Sequence, residues 1–255
     1  MTLDIVTVPC LSDNYAYLAR DEATGTVAVV DAPEAGPILQ ALADRGWGLD
    51  LILITHHHGD HIDGVAELVA KHGAKTVGAQ ADAHRLPPLD QALTEGDTVS
   101  IGDTQGRILD VSGHTVGHIA FHFPGASAAF TADSLMALGC GRVFEGTMAQ
   151  MWTSLSKLAA LPEDTMIYSG HEYTAANAKF ALTIEPENGA LRERVDEISE
   201  KRAKGLPTVP SRLSTELATN PFLRANQLSV KELMNMPGAT DAETFAEIRG
   251  RKDRF

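Results

Sequence analysis

Short β-branched or alternating runs recur between Gly, Asp and Pro from the start of the chain to about residue 172: DIVTV, YAYLA, TVAVVDA, LDLILIT, KTVGA, TVSIG, GRILDVS, HIAFHF, SAAFTAD and TMIYSG. Runs of this kind, bounded by turn residues, predict strands. Helical spacing interrupts them at about Pro33 to Arg45, Asp63 to His72 and Thr147 to Ala160, so the class mixes α and β and a layered sandwich would accommodate it. After Tyr173 the texture changes to helix formers with apolar residues at helical spacing: NAKFALTIEP, ENGALRERVDEISEKRAKG and DAETFAEIRGRKDRF. A helical C-terminal piece is expected there. GLPTVPSRLSTELATNPFLRA, rich in Pro, Ser and Thr, predicts an irregular connection within it.

Composition narrows the class. The 255 residues are 44% hydrophobic and 22% charged, enough for a sizeable core, and no apolar run approaches the roughly 18 residues that a membrane crossing needs. MTLDIVTVPC carries Asp4 where a secretory signal would carry positive charge, so a cytoplasmic protein is expected. Cys10 and Cys140 are too few for a disulfide framework or a cysteine zinc site, which leaves His and carboxylate to hold any metal. The formal charge of −13 argues against nucleic acid and anionic lipid as partners. A small anion would need a local basic patch, and Arg249, Arg251, Lys252 and Arg254 form the clearest one.

The stretch LDLILITHHHGDHIDG places an apolar strand before a polar cluster and then a helix, an order that presents side chains at the end of a rigid strand. His56, His58, Asp60 and His61 follow the pattern H-x-H-x-D-H. Imidazole suits zinc and iron, and a carboxylate extends the set to harder ions, so these four can serve two metals from one turn. Three more candidates end predicted strands: His114, Asp133 and His171. We expect His56, His58 and His114 on one ion, Asp60, His61 and His171 on the other, and Asp133 bridging the two. By itself Asp133 reads as a turn residue; beside the cluster it reads as a ligand. His57 is expected to be a structural neighbour, His118 and His122 to pack or hydrogen-bond, and Asp31 either to hold a ligand or to close its strand.

THHHGDH, SGHTVGH, FTAD and SGHEYT, in this order, resemble the motifs of the metallo-β-lactamase superfamily. The whole chain, from LSDNYAYL through CGRVFEGT to NPFLR and RGRKDRF, resembles its glyoxalase II (hydroxyacylglutathione hydrolase) family. That resemblance implies an α+β fold: an αββα sandwich as the catalytic domain over 1–172 and a smaller all-helical glutathione-binding domain over 173–255. It implies hydrolysis of S-D-lactoylglutathione to D-lactate and glutathione, the second step of methylglyoxal detoxification; separately, a monomer is expected. Arg142, Phe144, Tyr173, Arg249 and Lys252 match the family's glutathione contacts. On a helix Arg249 and Lys252 are three residues apart and can reach one carboxylate, although a charged helix end is also favourable by itself. Phe144 stands where the family commonly has Tyr, and Arg142 where many members have Lys.

The expected mechanism uses a hydroxide bridging two divalent ions, zinc first with iron or manganese as alternatives, to attack the thioester carbonyl. Asp60, His58 and Asp133 are its catalytic residues, and Asp60 can orient the nucleophile. The departing thiol has a pKa near about 8.5 and needs no dedicated acid. Two rivals are a persulfide dioxygenase with one iron, which would have no use for Asp60, His61 and His171 together, and a glutathione-conjugate binder without catalysis.

Overall fold

The computed structural model describes residues 2–255, which pack into two compact units. One runs to Asp110 and includes Thr115–Ala132; the other comprises Val111–His114 and Asp133–Phe255.

In the first unit the predicted strands, joined by an unpredicted short one at 91–93, form two sheets. The first sheet takes β1 (Leu3–Cys10), β2 (Asn14–Asp21), β3 (Val27–Val30), β4 (Leu51–Leu53), β5 (Lys75–Ala79) and β6 (Gln91–Leu93) in that spatial order. β1 to β3 are antiparallel hairpins, and β3 to β6 run parallel. Parallel neighbours need crossovers, which α1 (Ala35–Arg45) and α3 (Val65–His72) supply between β3, β4 and β5. Both helices stop where Gly46 and Gly73 take left-handed φ of 65°, a conformation that L side chains resist. The short helix α2 (Gly59–Ile62) precedes α3. The second sheet is an antiparallel meander of β7 (Thr98–Ile101), β8 (Thr104–Asp110), β9 (Ile119–Phe123) and β10 (Ala128–Ala132).

The sheets pack face to face, with the Tyr17 ring 5.8 Å from that of Phe130 and the Thr104 hydroxyl donating to Asp21 at 2.6 Å. On the outer face of the first sheet, Leu18, Val29, Ile52 and Ile54 meet Ile38 and Leu42 of α1 and Leu68 of α3. Each such side chain, fully buried, contributes roughly 1.5–3 kcal/mol. Rigid strands thus end at Val30 and Leu53, just before Asp31 and the polar loop.

The second unit is mostly helical. It holds a tight hairpin, β11 (Leu135–Met136) and β12 (Gly139–Cys140), then α4 (Met148–Ala159), β13 (Met166–Ser169), α5 (Thr174–Ile184), α6 (Gly189–Ala203), β14 (Ser211–Arg212), α7 (Leu213–Thr219), α8 (Leu228–Leu233) and α9 (Asp241–Asp253). Thr147 with Gln150, and Thr240 with Glu243, form capping boxes that start α4 and α9. The expected irregular connection is partly ordered: β14 pairs antiparallel with β13, and α7 follows at once. Apolar spacing missed α7 because one of its buried positions is the charged Glu216, satisfied by Arg194 of α6.

No helix among the described residues is long and apolar enough to cross a membrane.

Candidate metal centre

The chain leaves β4 through Ile54 and Thr55, and the histidine loop is tied at once. The backbone N–H of Thr55 and its hydroxyl both donate to Asp31, at 2.9 and 2.8 Å. Asp31 sits at the end of β3 with φ of 56°, a strained conformation for a non-glycine residue that places its carboxylate under the loop. The same carboxylate accepts from His61 Nδ1 at 2.8 Å. Asp31 therefore both closes its strand and holds a ligand candidate.

Proton positions follow from these partners. Because the Thr55 hydroxyl spends its hydrogen on Asp31, it accepts from His56 Nδ1 at 3.0 Å, and His56 Nε2 carries the lone pair. His61 donates through Nδ1, so its Nε2 carries one too. Ligand atoms of Asp31, His56 and His61 lie within 4.8 Å of one another. His56 Nε2 is 3.2 Å from His58 Nδ1. Adjacent ligands on one tetrahedral ion with metal–nitrogen bonds of about 2.0–2.1 Å are about 3.3 Å apart, so this spacing suits a shared cation. Asp60 Oδ2 lies 4.0 Å from His61 Nε2, and Asn14 holds that carboxylate by donating to it at 3.1 Å and to the Asp60 carbonyl at 3.0 Å.

In the second unit the other three candidates come together around one oxygen. Asp133 Oδ2 lies 3.5 Å from His114 Nε2 and 3.3 Å from His171 Nε2. His114 donates through Nδ1 to the Arg142 carbonyl at 2.7 Å, which turns the lone pair of its Nε2 toward the carboxylate. A lone pair facing an anion is repulsive without a cation, and the donor set of buried imidazole and carboxylate fits a divalent ion. Gly141 is obligatory here: a Cβ would lie 2.0 Å from the Asp133 carbonyl oxygen and 2.9 Å from His114 Nδ1.

The expected substrate contacts lie in this same unit. Tyr173, 40% exposed, stacks on His171 with rings 4.5 Å apart and 6° from parallel. Phe144, 60% exposed, meets His114 edge-on at 5.3 Å, and the Arg142 guanidinium lies over the Phe144 ring at 5.6 Å. Arg142 is also 3.7 Å from Asp253. Arg249 is buried, donating to the Cys140 carbonyl at 2.9 Å and to Asp253 at 3.0 Å. Lys252 is half-buried between Phe180 and Phe255, its ammonium 5.2 Å from each ring. Burial, with the Arg249 charge as a lesser cause, pushes its pKa down. Burial likewise pushes the Cys10 and Cys140 thiols up to about 11, so neither is an effective nucleophile near neutral pH.

Two side chains escaped the sequence reading. Asn14 stands inside LSDNYAYL, a motif noted only for its likeness, and Asp82 had no signal; it accepts from His57 Nδ1 at 3.1 Å. His118 stacks on His56 with rings 4.5 Å apart and 12° from parallel.

Comparison with known proteins places this geometry in a family. Residues 12–171 match the model of the Metallo-beta-lactamase superfamily, and residues 172–255 that of the Hydroxyacylglutathione hydrolase C-terminus. The chain is similar to a hydroxyacylglutathione hydrolase of Cereibacter sphaeroides (63% identity) and to one of Ruegeria pomeroyi (62%), each alignment covering 100% of both chains. Among solved structures it resembles ETHE1 from Myxococcus xanthus, with a TM-score of 0.67 at 25% identity over 98% of this chain and 90% of that one. The α+β chain, with its metallo-β-lactamase domain and helical C-terminal domain, belongs to the hydroxyacylglutathione hydrolase family.

Proposed function

We propose that the protein is a metal-dependent thioester hydrolase converting S-D-lactoylglutathione and water to D-lactate and glutathione, with 1–172 as its catalytic portion and 173–255 as its glutathione-binding portion. The observation that carries this reading is Asp133, flanked by two imidazoles, in a chain 63% identical over its full length to a hydroxyacylglutathione hydrolase. His56, His58 and His114 would hold one divalent ion and Asp60, His61 and His171 a second, with Asp133 shared. Zinc is the first choice, and iron or manganese suits the same donors. When bound, such a pair supplies hydroxide near neutral pH and stabilises negative charge on a carbonyl oxygen.

The chain's own groups do the rest. Asn14 fixes the Asp60 carboxylate, which can then accept a hydrogen bond from the attacking water and aim its lone pair. Asp31 holds His61 in one tautomer. Arg142 and Lys252 offer cations to the carboxylates of glutathione, and Arg249 adds positive charge from below while holding the Cys140 carbonyl and Asp253. Tyr173 and Phe144 cover one face of His171 and one edge of His114, giving the thioester an apolar wall beside the ligands. A thiolate leaving group, with a pKa near about 8.5, departs without a general acid.

The test is hydrolysis of lactoylglutathione by zinc-loaded protein and by His58→Ala. Wild-type turnover with loss of several orders of magnitude in the variant is expected; equal rates would end the proposal. Oxygen consumption with glutathione persulfide, absent thioester hydrolysis, would replace it with the dioxygenase reading.

A further inference from the structure

His57 lies between two of the proposed ligands, and its side chain is committed elsewhere. Its Nδ1 donates to Oδ2 of Asp82 at 3.1 Å, while its ring packs against that of His58 at 5.0 Å and 62°. Asp82 is 1% exposed. Its other oxygen takes the Arg85 guanidinium in a fork, Nε at 3.1 Å and Nη2 at 2.6 Å. Arg85 Nη2 also donates to the Val116 carbonyl at 2.9 Å. Gly117 follows with φ of 95°, so close that a Cβ would stand 2.7 Å from Asp82 Cγ. The next residue is His118, whose ring lies flat on His56.

One buried carboxylate therefore grips two segments, and each segment ends on a different ligand candidate. The first arm runs from Asp82 through His57 to the ring of His58. The second runs through Arg85 and the backbone at Val116 and Gly117 to His118 and the face of His56. Both arms end on ring faces and edges, leaving the nitrogens of His56 and His58 to approach each other. We propose that Asp82, clamped by Arg85, is a positioning residue that fixes the ring orientations of His56 and His58 and so sets the affinity of the site for its metal. The inference rests on the reading of His56 and His58 as ligands. Gly117 belongs to the same device, because any side chain there would displace the carboxylate.

Outer partners of ligating imidazoles typically govern about 10-fold to 100-fold in metal affinity. The experiment measures zinc affinity of metal-free protein by competition with a chromophoric chelator, the absorption bands of the cobalt(II)-substituted protein, and the denaturant midpoint of the metal-free state. Asp82→Asn is expected to weaken zinc binding about tenfold or more and to shift the cobalt bands. Because removing that charge leaves Arg85 with a poorer partner, His57→Ala and His57→Asn are tested as well; both keep the Asp82–Arg85 pair and remove from Arg85 only the 3.3 Å contact of its Nη1 with His57 Nε2. His57→Ala is expected to weaken zinc binding with little change in the metal-free midpoint, and His57→Asn, whose side-chain N–H can replace the lost donor, to restore most of it. Zinc affinity and cobalt bands unchanged in Asp82→Asn and His57→Ala, whatever the midpoint does, would overturn the inference while leaving the proposed activity standing. Wild-type protein that binds none of zinc, iron(II) and manganese(II) would sink both.

Discussion

His56, His58, Asp60 and His61 come from six consecutive positions at a strand end, whereas His114, Asp133 and His171 come from three segments of a largely helical unit. Carboxylates of its own unit adjoin the first set: Asp31 accepts from His61, and Asp82 from the neighbouring His57. The second depends on a hairpin that helices hold by its backbone. Glu216 of α7 accepts from the Leu138 N–H at 2.9 Å, Asn220 donates to the carbonyls of Met136 and Gly139 at 3.1 and 3.0 Å, and Asn177 donates to that of Ala137 at 3.1 Å. Leu138 at the turn has φ of 55°, tolerated because these partners over-determine it. A local cluster needs its strand and a few carboxylate and amide partners of its own unit; a dispersed one needs a helical framework to hold its segments.

The largest effect is expected where the dispersed set is anchored. Glu216 is fully buried and ion-paired with Arg194, itself nearly buried, so Glu216→Ala strands a guanidinium and frees the hairpin. Removing one partner of such a pair costs about 3–5 kcal/mol, read as a lowered denaturant midpoint at constant slope. A loss below about 1 kcal/mol would mean that the hairpin does not depend on the helices.

The local set should respond differently. Asp31→Ala removes the acceptor of His61, of the Thr55 hydroxyl and of the Thr55 N–H. Zinc affinity is expected to fall about 10-fold to 100-fold, with a smaller stability loss of about 1–3 kcal/mol. Chelator competition and denaturant unfolding measure the two. If Asp31→Ala destabilises as much as Glu216→Ala while keeping its zinc affinity, the contrast between the regions fails.

The same contrast decides what could be read from sequence. Four ligand candidates on one turn announce themselves by spacing, and the apolar run before them supplies the strand. Asp31, Asn14 and Asp82 act on residues 30, 46 and 25 positions away, a distance at which no local pattern operates. His114, Asp133 and His171 were visible only as polar residues ending predicted strands. The hairpin that follows Asp133 has strands of two residues each, too short for any periodicity. The α7 segment was hidden because its inward face carries Glu216, a charge where helical patterning looks for an apolar side chain.

Below the ligand candidates in expected effect come the basic residues of α9. Lys252→Ala is expected to raise KM about tenfold with kcat nearly unchanged, since a hydrogen bond to a charged group is worth about 1.5–3 kcal/mol and this one would act on bound substrate and transition state alike. Burial, and then the neighbouring Arg249, lower the pKa of the ammonium from the usual 10.5, so it loses its proton earlier as pH rises. KM of the wild type should therefore climb before an exposed lysine would titrate, and the climb should vanish in Lys252→Ala. An unaltered KM profile would remove Lys252 from the substrate contacts.

The smallest effect is a gain. Phe144 is exposed, stands edge-on to His114 and lies under the Arg142 guanidinium, so a para hydroxyl would extend into solvent space rather than into the core. Phe144→Tyr keeps the ring contacts and adds one donor that a glutathione amide or carboxylate can accept. A single hydrogen bond is worth about 0.5–1.5 kcal/mol, so KM for lactoylglutathione should fall between about twofold and tenfold, with the unfolding midpoint unchanged. The direction separates two roles for this wall. If Phe144 serves by contact with the tripeptide, the hydroxyl tightens binding; if it serves only to shield His114 from water, KM stays where it is and glutathione lies elsewhere on the second unit.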